Sequence, residues 1–235
     1  MLAGAYNFRD LGGLRTRDGR ILRAGRLFRS DTLQVLTAAD AVHLYQVLGL
    51  RGIVDLRLAQ EVADEGRGPL AERADIRYAN VPLQMAATEG VAPHEVMRHL
   101  YLGCLGPDAP LAAAVQQLSE FADGPVVFHC AAGKDRTGVL AALVLRLLDV
   151  HEDDIVADYM RSASAMPRMI ERFATWPRYR EHMALTPPQA YAVEEAPLRA
   201  FLQALNSAPR GARGWAEDRG ISTETLQQLR QQWLA

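Results

Sequence analysis

The apolar positions of this chain change period several times, and each change marks an element. Arg20 to Arg29 alternates apolar and basic residues around Gly25, the pattern of short half-buried strands joined by a turn. From Thr37 the period becomes helical. Ala41, Val42, Leu44, Tyr45 and Leu48 share a face, Thr37 and Asp40 have the spacing of a capping box, and Gly49 closes the segment. Gly52 to Leu56 is short, β-branched and apolar, which predicts a buried strand, and Arg77 to Leu83 predicts a second one ended by Pro82. Residues 84–93 carry no period and read as a loop placed to cover a site. Helical spacing returns over Glu95 to Leu105 and Leu111 to Phe121, the latter stopped by Asp123 and Gly124. Val126 to His129 predicts another strand, and Thr137 to Leu148, apolar nearly all round, a helix inside the core. The acidic run Glu152 to Asp154 suits the positive end of a helix reaching Ser162, with more helices expected at Pro167 to Thr175, Glu194 to Asn206 and Thr223 to Trp233.

Strands alternating with helices, then helices alone, predict an α/β fold: a central sheet covered by helices, with additional C-terminal helices. No repeat and no low-complexity linker divides the chain, so residues 1–235 are read as one domain, and 49% hydrophobic residues supply its core. With 26 basic against 28 acidic residues the net charge is −2, which gives no global field for nucleic acid or an anionic membrane. No apolar run approaches the roughly 18 residues of a bilayer span, and no basic-then-apolar leader opens the chain, so a cytoplasmic protein without an integral membrane segment is expected, secretion without a leader remaining compatible. Two cysteines, Cys104 and Cys130, make no disulfide framework. The chain has a single lysine, Lys134, every other basic side chain being arginine. A compact ammonium binds an anion differently from a planar guanidinium, which makes this position conspicuous.

Lys134 lies in the stretch with obvious chemistry, His129-Cys-Ala-Ala-Gly-Lys-Asp-Arg-Thr-Gly138, between a predicted strand and a predicted helix. The small residues Ala131, Ala132 and Gly133 let successive backbone N–H groups converge on one anion, and a helix N-terminus adds its own unsatisfied N–H groups. The positive surroundings favour the thiolate of Cys130, which can attack phosphorus. Arg136 is spaced to clamp two phosphoryl oxygens, and the Thr137 hydroxyl to reach the Cys130 sulfur. A nucleotide-binding P-loop is excluded by Phe128 and Asp135, which stand where that motif needs glycine and serine or threonine. The six histidines and the carboxylates show no metal-ligand spacing, so neither metal nor cofactor is expected. Cys104, on an apolar helical pattern, reads as a core residue.

The segment from Cys130 to Arg136 resembles the signature of cysteine-dependent protein tyrosine phosphatases. The full ten-residue stretch resembles the bacterial tyrosine phosphatase family that includes a mycobacterial enzyme of broad phosphotyrosine, phosphoserine and phosphoinositide activity. Asn7-Phe-Arg-Asp-Leu-Gly-Gly13, Gly25-Arg-Leu-Phe-Arg-Ser-Asp31, Ile53-Val-Asp-Leu-Arg57 and Asp154-Ile-Val-Ala-Asp-Tyr159 are similar to that family's other motifs. The resemblance implies a tyrosine phosphatase-like fold with the loop on its floor, Cys130 as nucleophile, Arg136 as phosphate clamp, and Lys134 and Asp135 as loop residues shaping substrate choice and protonation. The implied substrate is a phosphotyrosine protein or a phosphorylated small molecule or lipid headgroup.

The proton donor to the leaving oxygen stays open at this point. The family's frequent Trp-Pro-Asp loop is missing, since Trp176-Pro177 is followed by Arg178 and lies after the nucleophile. Asp55, at a strand end, and Asp135, in the loop, are the candidates, with Asp108 a weaker third. Asp55 has a structural alternative as partner of Arg57, and Asp135 as a neutraliser of Lys134 and Arg136. His129 reads as a brace for the loop, and Arg29 and Asp31 as a structural pair. Two other classes fit less well. A phosphate-binding pseudophosphatase is expected to have lost Cys130 or Arg136, and an oxyanion or sulfur-transfer enzyme of the rhodanese or arsenate reductase type is expected to show a tandem domain or a resolving thiol.

Overall fold

The computed structural model describes residues 2–107, 110–185 and 188–235, so the candidate Asp108 lies outside the described residues. Five strands form one sheet: β1 (Arg9–Asp10), β2 (Leu27–Ser30), β3 (Gly52–Asp55), β4 (Arg77–Asn80) and β5 (Val126–His129), in the order β1-β2-β5-β3-β4. All are parallel except β1, which pairs antiparallel with β2 at the edge. Eleven α-helices accompany them among the described residues: α1 (Ala38–Val42), α2 (Ala59–Glu65), α3 (Val96–Gly103), α4 (Leu111–Glu120), α5 (Asp135–Leu147), α6 (Glu152–Met160), α7 (Met166–Thr175), α8 (Pro177–Leu185), α9 (Glu195–Ser207), α10 (Gly211–Glu217) and α11 (Thr223–Trp233).

Both faces of the sheet are covered, which is why its central strands are apolar throughout. Leu27, Val54, Val126 and Phe128 point into the larger core, built around α5 and walled by residues of α3, α4, α6 and α9 to α11. Phe28, Ile53 and Val127, one position along, point into a smaller core with Leu33, Leu36, Leu44 and Leu50. Helix α5 is buried without interruption from Thr137 to Leu145, as its all-round apolar pattern implied.

The register puts His129 beside Ser30 on one side and Asp55 on the other. Three strands therefore end level, and the chain leaves β5 directly into the Cys130 loop at the carboxyl edge of a parallel sheet, where such folds bind ligands.

Several elements differ from the expectation. Of Arg20 to Arg29 only the end becomes a strand, and it is wholly buried, because a parallel neighbour and two covered faces leave β2 no solvent side; Ile21 and Leu22 make isolated bridges instead. Strand β4 stops at Asn80, two residues before Pro82. The capping box at Thr37 and Asp40 forms with both hydrogen bonds, yet the helix widens into a π-helix over His43–Val47. Residues 84–93 pack on α3, where Met85 touches the Cys104 thiol and His99 contacts the Ala87 carbonyl. No helix among the described residues is long and apolar enough to cross a membrane.

Candidate active site

The Cys130 loop owes its shape to bonds on its carbonyl side. Thr32 N donates to Ala131 O at 3.1 Å, Asn7 Nδ2 to Ala132 O at 3.1 Å and Gly133 O at 3.0 Å, and Arg29 Nη2 to Gly133 O at 2.8 Å. A trans peptide sets its C=O and the following N–H in opposite directions. Drawing three carbonyls outward therefore turns the N–H groups of Ala132, Gly133 and Lys134 inward, the concave arrangement that binds an anion. Gly133 is required twice over: its φ is +66°, and a Cβ there falls 2.5 Å from Ser30 O.

The outer supports are themselves fixed. Arg29 also binds Asp158 at 2.7 Å, and Asp158 binds Arg9 at 2.7 Å, both pairs being buried. Burial works against the Asp158 charge, but the two guanidinium groups hold its carboxyl below the usual carboxylate range. Arg29 and Asp31 are thus not a pair with each other. Asp31 binds Arg172 at 3.0 Å and accepts from Asn7 N at 2.8 Å, and burial pushes its carboxyl up to about 6.

Cys130 is buried at 2% exposure, and Ala131 and Lys134 are buried beside it in the chain. Arg136 lies alongside, its guanidinium gripped by both carboxylate oxygens of Glu61 at 2.5 and 2.9 Å, with a longer contact to Leu56 O at 3.4 Å. Burial opposes the guanidinium charge, but Glu61 and Cys130 outweigh it and hold Arg136 firmly protonated. Glu61 is fixed in turn: the same carboxylate accepts Leu58 N at 2.7 Å at the start of α2 and the Tyr179 hydroxyl at 3.0 Å.

The two aspartate candidates have different surroundings. Asp55 is fully buried and saturated, accepting from Arg57 N at 3.0 Å, Arg57 Nη2 at 2.7 Å and the Tyr78 hydroxyl at 2.9 Å, with His129 Nε2 at 3.6 Å. Burial works against its charge, yet His129 and the Arg57 guanidinium hold its carboxyl below the usual range. Asp135 opens α5, its side chain 30% exposed, and takes a 2.6 Å hydrogen bond from the Tyr101 hydroxyl. Lys134 Nζ stands 3.5 Å from Asp135 but donates to Ala190 O at 2.7 Å and Ala192 O at 2.9 Å. The Thr137 hydroxyl is buried with no hydrogen-bond partner among the described residues, so the contact to the Cys130 sulfur suggested by spacing is not made. His129 contacts the Cys130 carbonyl at 3.2 Å, at the root of the loop.

Helices α7 and α8 form the cover. Met166, Met169, Phe173 and Tyr179 pack on Ala131, and Phe173 stacks on Tyr179 with ring centroids 4.4 Å apart. Sequence patterning found α7 but not α8. Cys104 lies in the main core, and burial pushes its thiol up to about 12, the behaviour of an inert core cysteine. Glu61, Tyr101, Asn7 and Tyr179 were not singled out in the sequence. Asn7 had the signal of heading a family-like motif, with no role read from it, and the other three had none, because their roles come from contacts across 34 to 118 positions.

The model of the tyrosine phosphatase family matches residues 1–235. The chain belongs to this family. It is 30% identical over 271 residues to the triple specificity protein phosphatase PtpB of Mycobacterium tuberculosis, covering 97% of this chain and 96% of that one. It is also 31% identical over 222 residues to a tyrosine-protein phosphatase of Nostoc commune, covering 88% of this chain and 74% of the relative. The crystal structure of P. aeruginosa TpbA is a more distant likeness, 18% identical with a TM-score of 0.38 over 85% of this chain and 89% of that one.

Proposed function

We propose that the chain is a metal-independent phosphatase that hydrolyses phosphotyrosine, and also phosphoserine, phosphothreonine or phosphoinositides, through a cysteinyl-phosphate intermediate. The observation that carries this is the outward tethering of the Ala131, Ala132 and Gly133 carbonyls, which aims three amides into the concavity that begins at Cys130. The wider substrate list is supported by the relative named as a triple specificity phosphatase.

In this reading the Cys130 thiolate attacks phosphorus, the P–O bond to the substrate breaks, and the leaving oxygen takes a proton from Asp135. Water then attacks the cysteinyl phosphate, Asp135 receives a proton, and inorganic phosphate leaves with the thiolate restored. The amides of residues 132–134 and the Arg136 guanidinium carry the charge of the equatorial oxygens, with Ala131 and Thr137 completing the loop. Asp135 is assigned as the acid because its side chain is partly exposed at the loop, whereas Asp55 is fully buried and bound on both oxygens. Asp55 is assigned to holding Arg57 and His129 beneath the loop. Lys134 is assigned first to fastening residues 190–192 over the site, and its ammonium reaches a second phosphate only when those two bonds break.

Residues 1–235 act as one domain in this reading, and the cysteine usage fits a cytoplasmic setting. The test is hydrolysis of a chromogenic aryl phosphate near pH 6 in excess chelator, by wild type and Cys130→Ser side by side. Chelator-resistant turnover that vanishes in the variant is expected. Folded wild type without turnover overturns the reading in favour of a phosphate-binding module.

A further inference from the structure

Asp135 is held from α3 and α6 as well as from its own loop. The Tyr101 hydroxyl donates to Asp135 Oδ1 at 2.6 Å and lies 2.8 Å from the Tyr159 hydroxyl. Each phenol has one proton. The Tyr101 proton is committed to the carboxylate, so the Tyr101 oxygen accepts from Tyr159, and the chain runs one way, from Tyr159 through Tyr101 to Asp135. The two rings meet edge to face at 88°, both buried, which fixes the direction of each hydroxyl. Burial, with the Asp135 charge adding to it, pushes both phenols above their ordinary value and keeps them as donors. A purely structural aromatic pair needs no hydroxyls in this setting, since phenylalanine fills the same space without burying a polar group.

We propose that Tyr101 is a positioning residue for proton transfer: its hydroxyl, oriented by Tyr159, pins Asp135 Oδ1 and leaves Oδ2 to carry the proton given to the leaving group. The inference rests on the assignment of Asp135 as general acid. The Lys134 ammonium, 3.5 Å from the same Oδ1, reinforces the asymmetry, and Oδ2 takes no hydrogen bond among the described residues. The other groups facing this cluster do not compete for the proton. Cys104 at the end of α3 is a buried neutral thiol, Arg136 is held by Glu61, and Arg29 and Glu194 act on the Tyr159 phenol.

The experiment compares wild type, Tyr101→Phe, Tyr159→Phe and Asp135→Asn by kcat and KM on phenyl phosphate against 2,4-dinitrophenyl phosphate, with thermal melts to establish folding. Tyr101→Phe is expected to make the rate depend more steeply on the leaving group, because the acid is no longer held in position. It is also expected to lower kcat on phenyl phosphate by about tenfold while changing the dinitrophenyl substrate, which needs no acid, less than about twofold. KM stays unchanged, and Tyr159→Phe shifts the ratio of the two rates the same way by less. If Tyr101→Phe does not fold, the direction of the Tyr159→Phe shift decides. Equal losses on both substrates overturn the proposal when Asp135→Asn loses rate on phenyl phosphate selectively. If Asp135→Asn leaves the leaving-group sensitivity intact, the assignment of Asp135 as acid fails, and the role of Tyr101 with it.

Discussion

Replacing Asp55 by asparagine separates scaffold from chemistry. Asp55 and Arg57 are an ion pair with both side chains at 0% exposure. Without the carboxylate charge, Arg57 keeps Glu65 at 3.2 Å, Gln34 Oε1 at 2.8 Å and Gly66 O at 2.9 Å, which satisfy its outer face but not the face turned to β3. Breaking a buried pair by removing one partner costs about 3–5 kcal/mol, and because asparagine still accepts through one oxygen the lower end, about 3 kcal/mol, applies here. For a chain of this size that corresponds to a fall in Tm of about 6–12 °C at pH 7. The folded-state carboxyl lies below its ordinary value, so the stabilisation is present above the unfolded value of about 3.9 and is lost as pH falls through the folded one. The gap in Tm between wild type and Asp55→Asn therefore narrows below about pH 4. Loss of a general acid costs about 10²–10⁴-fold in rate, whereas Asp55→Asn, assayed well below its Tm, is expected to lose less than about tenfold. A variant with unchanged Tm and a rate lower by about 10²-fold or more would refute the assignment of Asp55 to the scaffold.

Arg136→Lys keeps the charge but cannot span Glu61 and two phosphoryl oxygens at once, and a loss of about 10²–10³-fold in kcat/KM for an aryl phosphate is expected; near-wild-type turnover contradicts the clamp. Tyr179→Phe removes a bond to the Glu61 carboxylate that is worth about 1.5–3 kcal/mol, loosening α8 over the loop. Alkylation of Cys130 by iodoacetamide is then expected to quicken by about tenfold or more, and an unchanged rate means the cover is held elsewhere. Asp31, raised to about 6 by burial, binds its proton more tightly in the native state than in the unfolded chain. Its contribution is full below about pH 4 and fades as pH rises through 6, so wild type loses Tm relative to Asp31→Asn across that window; parallel Tm curves refute it.

The sheet was legible because its central strands are short, apolar and followed by punctuating residues: Gly52 to Asp55 and Val126 to His129 needed no tertiary information. The same holds for the loop, where a cysteine at a strand end and an arginine six positions on carry their chemistry in their spacing. The π-helix at His43–Val47 was not legible, since its apolar residues satisfy an α period equally well. Helix α8 was hidden behind Trp176-Pro177, which reads as a stop although proline is tolerated in a first helical turn. Pair identities were the least legible level. Arg29 and Asp31 stand two apart in sequence, yet Arg29 lies in β2 and Asp31 just past its end, where the chain bends, and their partners come from α6 and α7. Glu61 and Tyr101 act on Arg136 and Asp135 from 75 and 34 positions away, distances that leave no trace in a single sequence.

The central claim is that phosphate passes through the sulfur of Cys130. Acid quenching during steady turnover of an aryl phosphate, followed by mass spectrometry of the peptide carrying residue 130, reads it directly. The account predicts one phosphoryl group on Cys130 in wild type, accumulating further when the second step is slowed in Asp135→Asn. Turnover with no phosphorylated Cys130 peptide at any quench time contradicts it.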